Sequence, residues 1–410
     1  MKPIRAAVLL AFIAAAPAAQ AQTTLSISQL QASTKCSDAL IFITDTGREG
    51  MFVPVPGSTA VANNGTTLSC NANGGAGRVV YKRVYDSTIN AKWFGLSETA
   101  ADNSVAVQNA IDSAKKGQEV LIPEGSYTFQ NSITLPDNQY IRLTARGELT
   151  FNAAEGIVVI GRFGHVLDLT RLHNHAWEDT PRYGYTGTAI KLVNAVNATV
   201  KVNWIDGFKT AIMLTGEGHN GSQYNKINFD LLTHNDIGLQ LTTESDGQLN
   251  WVNENTFTGG RISGLTGLSA VPGAGQTDPF NGNKFYNIGF EGATTGVDVD
   301  KFSWNIFIAP RLFSAEGVVN GFKFSPSSQD NAIVTTGLYE NAFVSNGVAA
   351  NAGVRTLVLG RLLTSDGVTS GVLNIADDNG RFLGLKRDTP VPSKSKSRVL
   401  PLSTLTGVSP

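Results

Sequence analysis

Asn, any residue, then an apolar residue recurs five times in mid-chain: Asn225-Lys226-Ile227, Asn255-Thr256-Phe257, Asn283-Lys284-Phe285, Asn305-Ile306-Phe307 and Asn331-Ala332-Ile333. The steps are 30, 28, 22 and 26 residues. A second string, a small residue followed by alternating apolar positions, interleaves with these marks: Ala189-Ile190-Lys191-Leu192, Ala211-Ile212-Met213-Leu214, Gly238-Leu239-Gln240-Leu241, Gly296-Val297-Asp298-Val299 and Gly321-Phe322-Lys323-Phe324. Asn225 to Gly238 and Asn283 to Gly296 are both 13 residues. Internal periods of roughly 20 to 50 residues mark stacked architectures. The period-2 stretches broken by Gly and Asn read as strand, turn, strand, so each unit is one coil of a parallel β-helix. One coil cannot bury its own apolar face; coils stacked about 4.8 Å apart share an interior and satisfy each other's backbone. Asparagine suits the corners because it tolerates left-handed backbone and can form side-chain ladders.

Composition narrows the function. Charged residues are 16%, and 32 Lys and Arg nearly balance 33 Asp and Glu, so no basic excess exists to neutralise nucleic-acid phosphates. The 43 glycines suit an all-β, turn-rich chain. Residues 1–21 read as a secretory signal: Lys2 and Arg5, an apolar run from Ala6 to Ala16, then Ala19-Gln20-Ala21 before the cleavage point. That run is too short for a membrane span, and the mature chain is expected in the periplasm or outside the cell. There Cys36 and Cys70, the two cysteines, are expected to pair. Closing a loop of about 35 residues contributes roughly 3 to 4 kcal/mol.

Three regions follow: a small N-terminal β module over 22–90, the repeat body over 91–379, and a basic tail over 380–410. One helix is predicted, capped by Asp102 or Asn103, with Val107, Ala110, Ile111 and Ala114 on one face and its end at Gly117. Such a helix would cover the open end of the first coil.

Trp93-Phe94-Gly95, then Asp102-Asn103, then Pro123-Glu124-Gly125-Ser126-Tyr127 resemble the opening of the pectate-lyase-superfamily β-helix domain. Leu25 to Leu30 and Arg83-Val84-Tyr85-Asp86 resemble the small module that precedes it in phage tailspikes and secreted bacterial relatives. The resemblance implies a right-handed parallel β-helix, an association with polysaccharides and, from tailspike-like relatives, a homotrimer. Catalytic patterns do not carry over. Asn203-Trp204-Ile205-Asp206-Gly207 has Gly where calcium-type pectate lyases have His, and Gly218-His219-Asn220-Gly221 only approaches the Gly-His-Gly of polygalacturonases.

Two candidate sites remain. The first is the stretch His165 to Tyr185, with three of the five histidines. Eliminative cleavage of a uronic-acid glycan needs a cation for the carboxylate, a base for the C5 proton and an acid for the leaving oxygen. His173, His175, Arg182, Tyr183 and Tyr185 supply those groups, and Trp177 a stacking face. A metal held by His173 and His175 lacks an evident third ligand. The second arises from aligning coils on their Asn marks. Arg261 and Arg311 fall six residues after theirs, Glu291 eight and Glu340 nine. A Glu291/Glu340 pair two coils apart, about 9 to 10 Å, would approach the spacing of inverting glycosidases. Trp251 and Glu254 are further candidate sugar contacts, with a turn role as the alternative. Calcium through Asp298 and Asp300, which share a strand face, is the one cofactor the sequence offers, although calcium takes about six to eight oxygens. The leading expectation is a lyase acting on an acidic exopolysaccharide. Its rivals are a glycoside hydrolase and a non-catalytic glycan-binding β-helix.

Overall fold

The structure, a computed structural model, describes residues 23–36, 39–72, 77–174, 183–291, 294–313, 320–339, 355–363, 369–370, 373–376 and 382–383. Residues 1–22, which hold the expected secretory signal, and nearly all of the stretch 380–410 lie outside them.

The chain is a parallel β-helix preceded by a small mixed module. In that module Thr23–Leu25 pairs in parallel with Ile41–Ile43, and antiparallel pairings then add Gly50–Val55, Gly77–Arg83 and Thr67–Ala72. A short helix, Ile27–Ala32, starts in a Ser26/Gln29 capping box and buries Ile27 and Leu30. The Cys36–Cys70 disulfide is formed, with Cα atoms 5.7 Å apart. The module meets the β-helix at Arg83. Its guanidinium donates to the carbonyls of Gly65, Glu49 and Arg48 and lies over the rings of Phe52 and Trp93. Burial lowers its pKa to about 10.

Each coil contributes to three ladders. The first runs Val120, Leu143, Leu167, Val200, Ile227, Phe257, Phe285, Phe307, Ile333, Val358. The second holds Ser126, Glu148, Arg171, Trp204, Leu231, Arg261, Gly289 and Arg311 in one column. The third stacks Ile190, Ile212, Leu239, Leu268, Val297 and Phe322. Inward side chains superpose at the coil spacing: Phe257, Phe285 and Phe307 stack with centroids 4.8 and 4.7 Å apart.

The five marked asparagines line up at one corner, all 0 or 1% exposed. Asn255 Oδ1 accepts from the backbone N–H and Nδ2 of Asn225, at 3.1 and 2.8 Å, and Asn283, Asn305 and Asn331 repeat the backbone contact onward. The residue before each mark is left-handed: Tyr224, Glu254, Gly282, Trp304 and Asp330, with φ between 53 and 64°. The third ladder explains the small residue of the second string. A Cβ at Gly238 would collide with Ile262, and one at Gly267 with Phe290. Gly267-Leu268-Ser269-Ala270 is a sixth member of that string in register.

The predicted helix spans Ser104–Ser113 and ends before Gly117. Asn103 takes the cap position, but its side chain is engaged with Ser97 and Thr128, and the Asp102 carboxylate accepts the Ser104 N–H instead. Val107, Ala110 and Ile111 join the main core. No helix among the described residues is long and apolar enough to cross a membrane.

Candidate functional site

The densest polar constellation lies on the second ladder, where Arg171 stands between two carboxylates. Its Nη1 is 2.8 Å from Glu148 Oε2 and its Nη2 is 2.8 Å from Asp206 Oδ2. Register dictates this: Glu148 and Trp204 are the coil neighbours of Arg171, and strand alternation brings Asp206 to the same face as Trp204. The guanidinium lies 4.3 Å from the Trp204 ring, which is 37% exposed. Asp206 is 1% exposed, and an ionised carboxylate in that setting requires partners. It has two, since its Oδ1 lies 3.0 Å from His173 Nδ1. Burial opposes charge on Arg171, but Asp206 and Glu148 outweigh it and hold the guanidinium above its ordinary pKa.

Chemically this is a carboxylate-oriented histidine beside a cation and a half-exposed aromatic face. An Nδ1–H bonded to Asp206 puts the ring's lone pair on Nε2. The column continues along the helix axis through Leu231, Arg261, Gly289 and Arg311. Gly289 leaves the space between the two arginines without a side chain. Arg311 is exposed, donates from Nη2 to the Gly260 carbonyl at 3.0 Å, and borders a cavity of about 430 Å³ with Gly259, Asn287 and Pro310.

Residues 88–323 match the family described as rhamnogalacturonase A/epimerase, pectate lyase-like. The chain belongs to this family. Among solved structures it is similar to the full-length tailspike protein 2 of the Escherichia coli O157:H7 bacteriophage CAB120, at 15% identity and a TM-score of 0.54, covering 88% of this chain and 54% of the tailspike. It is also similar to ORF18 of Geobacillus virus E2, at 12% identity and a TM-score of 0.50, covering 87% of this chain and 78% of the viral protein. The pectate lyase-like chain thus spans about half the length of the tailspike. At these identities the likeness concerns the fold alone. No curated protein matches the chain.

The structure distributes the expected site residues of this pectate lyase-like chain unevenly. His173 is 5% exposed and pairs in register with Asp206, its neighbour on the next coil. His165 has a corner role: buried, it accepts the Ile141 N–H at Nδ1 and contacts the Pro136 carbonyl through Nε2, as the ladder asparagines do in later coils. Tyr183 is half-buried and Tyr185 is buried. His175, Trp177 and Arg182 lie outside the described residues. The base of their segment is pinned, because Asn174 Nδ2 donates to the Thr186 carbonyl and Gly184 N–H donates to Asp236.

Arg261 and Arg311 share a column, whereas Glu291 ends the strand Gly289–Glu291 opposite Phe313. Glu340 lies outside the described residues. Trp251 and Glu254 are on the short strand and corner preceding the first ladder. Asp298 pairs with Lys323 at 2.8 Å. Among the described residues no group of three His, Cys, Asp or Glu could hold a metal. Sequence reasoning passed over Glu148 and Arg171, and it set Trp204 and Asp206 aside with their string for want of the His that follows in pectate lyases. The available signal was the alternation Trp204-Ile205-Asp206, which puts Trp204 and Asp206 on the same outward face.

Proposed function

We propose that the chain is an exported enzyme that binds an acidic polysaccharide along the second-ladder flank and cleaves it by β-elimination. The observation that carries this reading is the register column placing Arg171, Trp204, Arg261 and Arg311 on one face. Arginines two and three coils apart on one face suit successive uronate carboxylates, and Trp204 offers a sugar-stacking face. The family match and the tailspike-like fold support a polysaccharide as the substrate class. The leader-like segment supports export.

In the proposed reaction a cation neutralises the uronate carboxylate and so acidifies the C5 proton. His173, oriented by Asp206, removes that proton. The electron pair forms the C4–C5 double bond, the C4–O4 bond breaks, and the leaving oxygen takes a proton from an acid, for which Tyr183 is the candidate. Incubation with a panel of acidic polysaccharides should raise the ultraviolet absorbance of unsaturated uronate product, and His173→Ala should abolish the rise. No rise across a broad panel, or reducing ends released without unsaturation, removes the lyase reading; release without unsaturation favours a hydrolase. Binding without cleavage would leave a glycan-binding β-helix.

A further inference from the structure

The outer face of the first ladder changes character along the stack. Strand alternation turns Phe307, Ile333 and Val358 inward, where all three are fully buried, so the residues on either side of each face out. In earlier coils these outward positions are polar: Thr199 and Lys201, then Lys226 and Asn228, then Thr256 and Thr258. In the last three coils they are Ile306 and Ile308, Ala332 and Val334, Leu357 and Leu359, joined in register. The first five are half-buried and Leu359 is 38% exposed. Trp304, 58% exposed, extends the patch at the Asn corner. A sheet with one face in water normally alternates apolar inside with polar outside. A contiguous apolar patch on the outside marks a docking surface.

The size of the patch and the course of the chain select its occupant. Two columns about 7 Å apart over three coils about 4.8 Å apart, widened by Trp304, present on the order of 250 Å². A stable pair of subunits needs about 800 Å² from each, so the patch is too small for a second copy, whereas about five or six extended residues cover it. The last described strand lies close by. Leu373–Ala376 pairs antiparallel with Leu357–Leu363, and Phe382–Leu383 with Leu373–Ala376, which sets Leu383 two strand spacings, about 10 Å, from Leu357. Residues 384–410, which lie outside the described ones, can reach about 90 Å from there. Their sequence is polar and basic as far as Arg398 and then turns apolar, with Val399-Leu400-Pro401-Leu402 followed by Leu405. Pro401 has no N–H to give to a sheet edge, but packing against the side chains of an outer face asks for no backbone pairing.

We propose that residues 399–405 of the chain's own C-terminal segment dock on this apolar patch as an intramolecular strap. The contact removes the patch from water and from other copies of the chain. It also ties down the last coils of the stack, where a solenoid needs a cap. No part of the lyase reading enters it.

The test is limited trypsin digestion of the full-length protein, timed by mass spectrometry at several protein concentrations. Cleavage after Lys396 is expected to be slow in the unmodified chain. Val334→Asp puts a charge into the patch, and Leu400→Ser/Leu402→Ser strips the segment while leaving the β-helix untouched. Each should speed that cleavage about tenfold or more, as for a site cut only from its undocked form. Should Val334→Asp not fold, the segment variant carries the same expectation. Equal cleavage rates after Lys396 in the unmodified and variant proteins would overturn the proposal. So would protection that grows with protein concentration and comes with an oligomer in sedimentation, because a second copy would then cover the patch.

Discussion

A buried histidine occupies the same corner as the asparagines, and this sets a pH dependence that no surface group would give. Burial lowers the His165 pKa, so below about pH 6.5 the unfolded chain takes up a proton that the folded chain refuses. The stability His165 contributes is therefore complete above that pH and is lost as pH falls through the folded pKa. Thermal melts from pH 7.5 to 5 should show a decline that His165→Gln flattens; an equal slope in both proteins would contradict the assignment. The ladder itself is more demanding. Asn255 satisfies the N–H and Nδ2 of Asn225 and donates to Ser222 and Asn283. Asn255→Ala should cost about 3 kcal/mol, since each orphaned buried group costs roughly 1 to 3 kcal/mol, as measured by denaturant unfolding.

At the scale of the strand, close approach between successive coils governs which residues are admitted. Gly267 faces Phe290 and the Gly296 carbonyl, so Gly267→Val should destabilise by about 1 to 3 kcal/mol or more, whereas a serine exchange at the exposed Asn228 should change little. Reducing the Cys36–Cys70 disulfide should remove about 2 to 4 kcal/mol from unfolding of the N-terminal module; unchanged unfolding under reduction would argue that the module's own core suffices. The corner asparagines and the small-residue strings were legible in sequence because a repeating geometry demands the same residue at the same place. The missed string at Gly267 shows the limit. Thr266-Gly267-Leu268-Ser269-Ala270 has the right pattern, but Gly267 follows its mark, Asn255, by 12 residues instead of 13, because the neighbouring strand carries one extra residue between Thr233 and Asn235. Helix capping was half legible, because the choice between Asp102 and Asn103 depends on Ser97 and Thr128, partners remote in sequence.

For the whole molecule, stacking turns distant residues into neighbours, and this is why the fold was readable while the site was less so. Arg171, Trp204, Arg261 and Arg311 span 140 positions of sequence yet form one strip. Counting from the Asn marks found Arg261 and Arg311. It could not reach Glu148, Arg171 or Asp206, because the coils before Asn225 place His165 and Ala198 at that corner. The proposed ligand of this strip is an acidic glycan. Equilibrium binding of acidic polysaccharide to the Arg261→Ala/Arg311→Ala protein tests it most directly. Each charge-assisted contact is worth about 1.5 to 3 kcal/mol, so affinity should fall at least about a hundredfold, with melting unchanged and a weaker salt dependence. Affinity equal to that of the unmodified protein would contradict the claim.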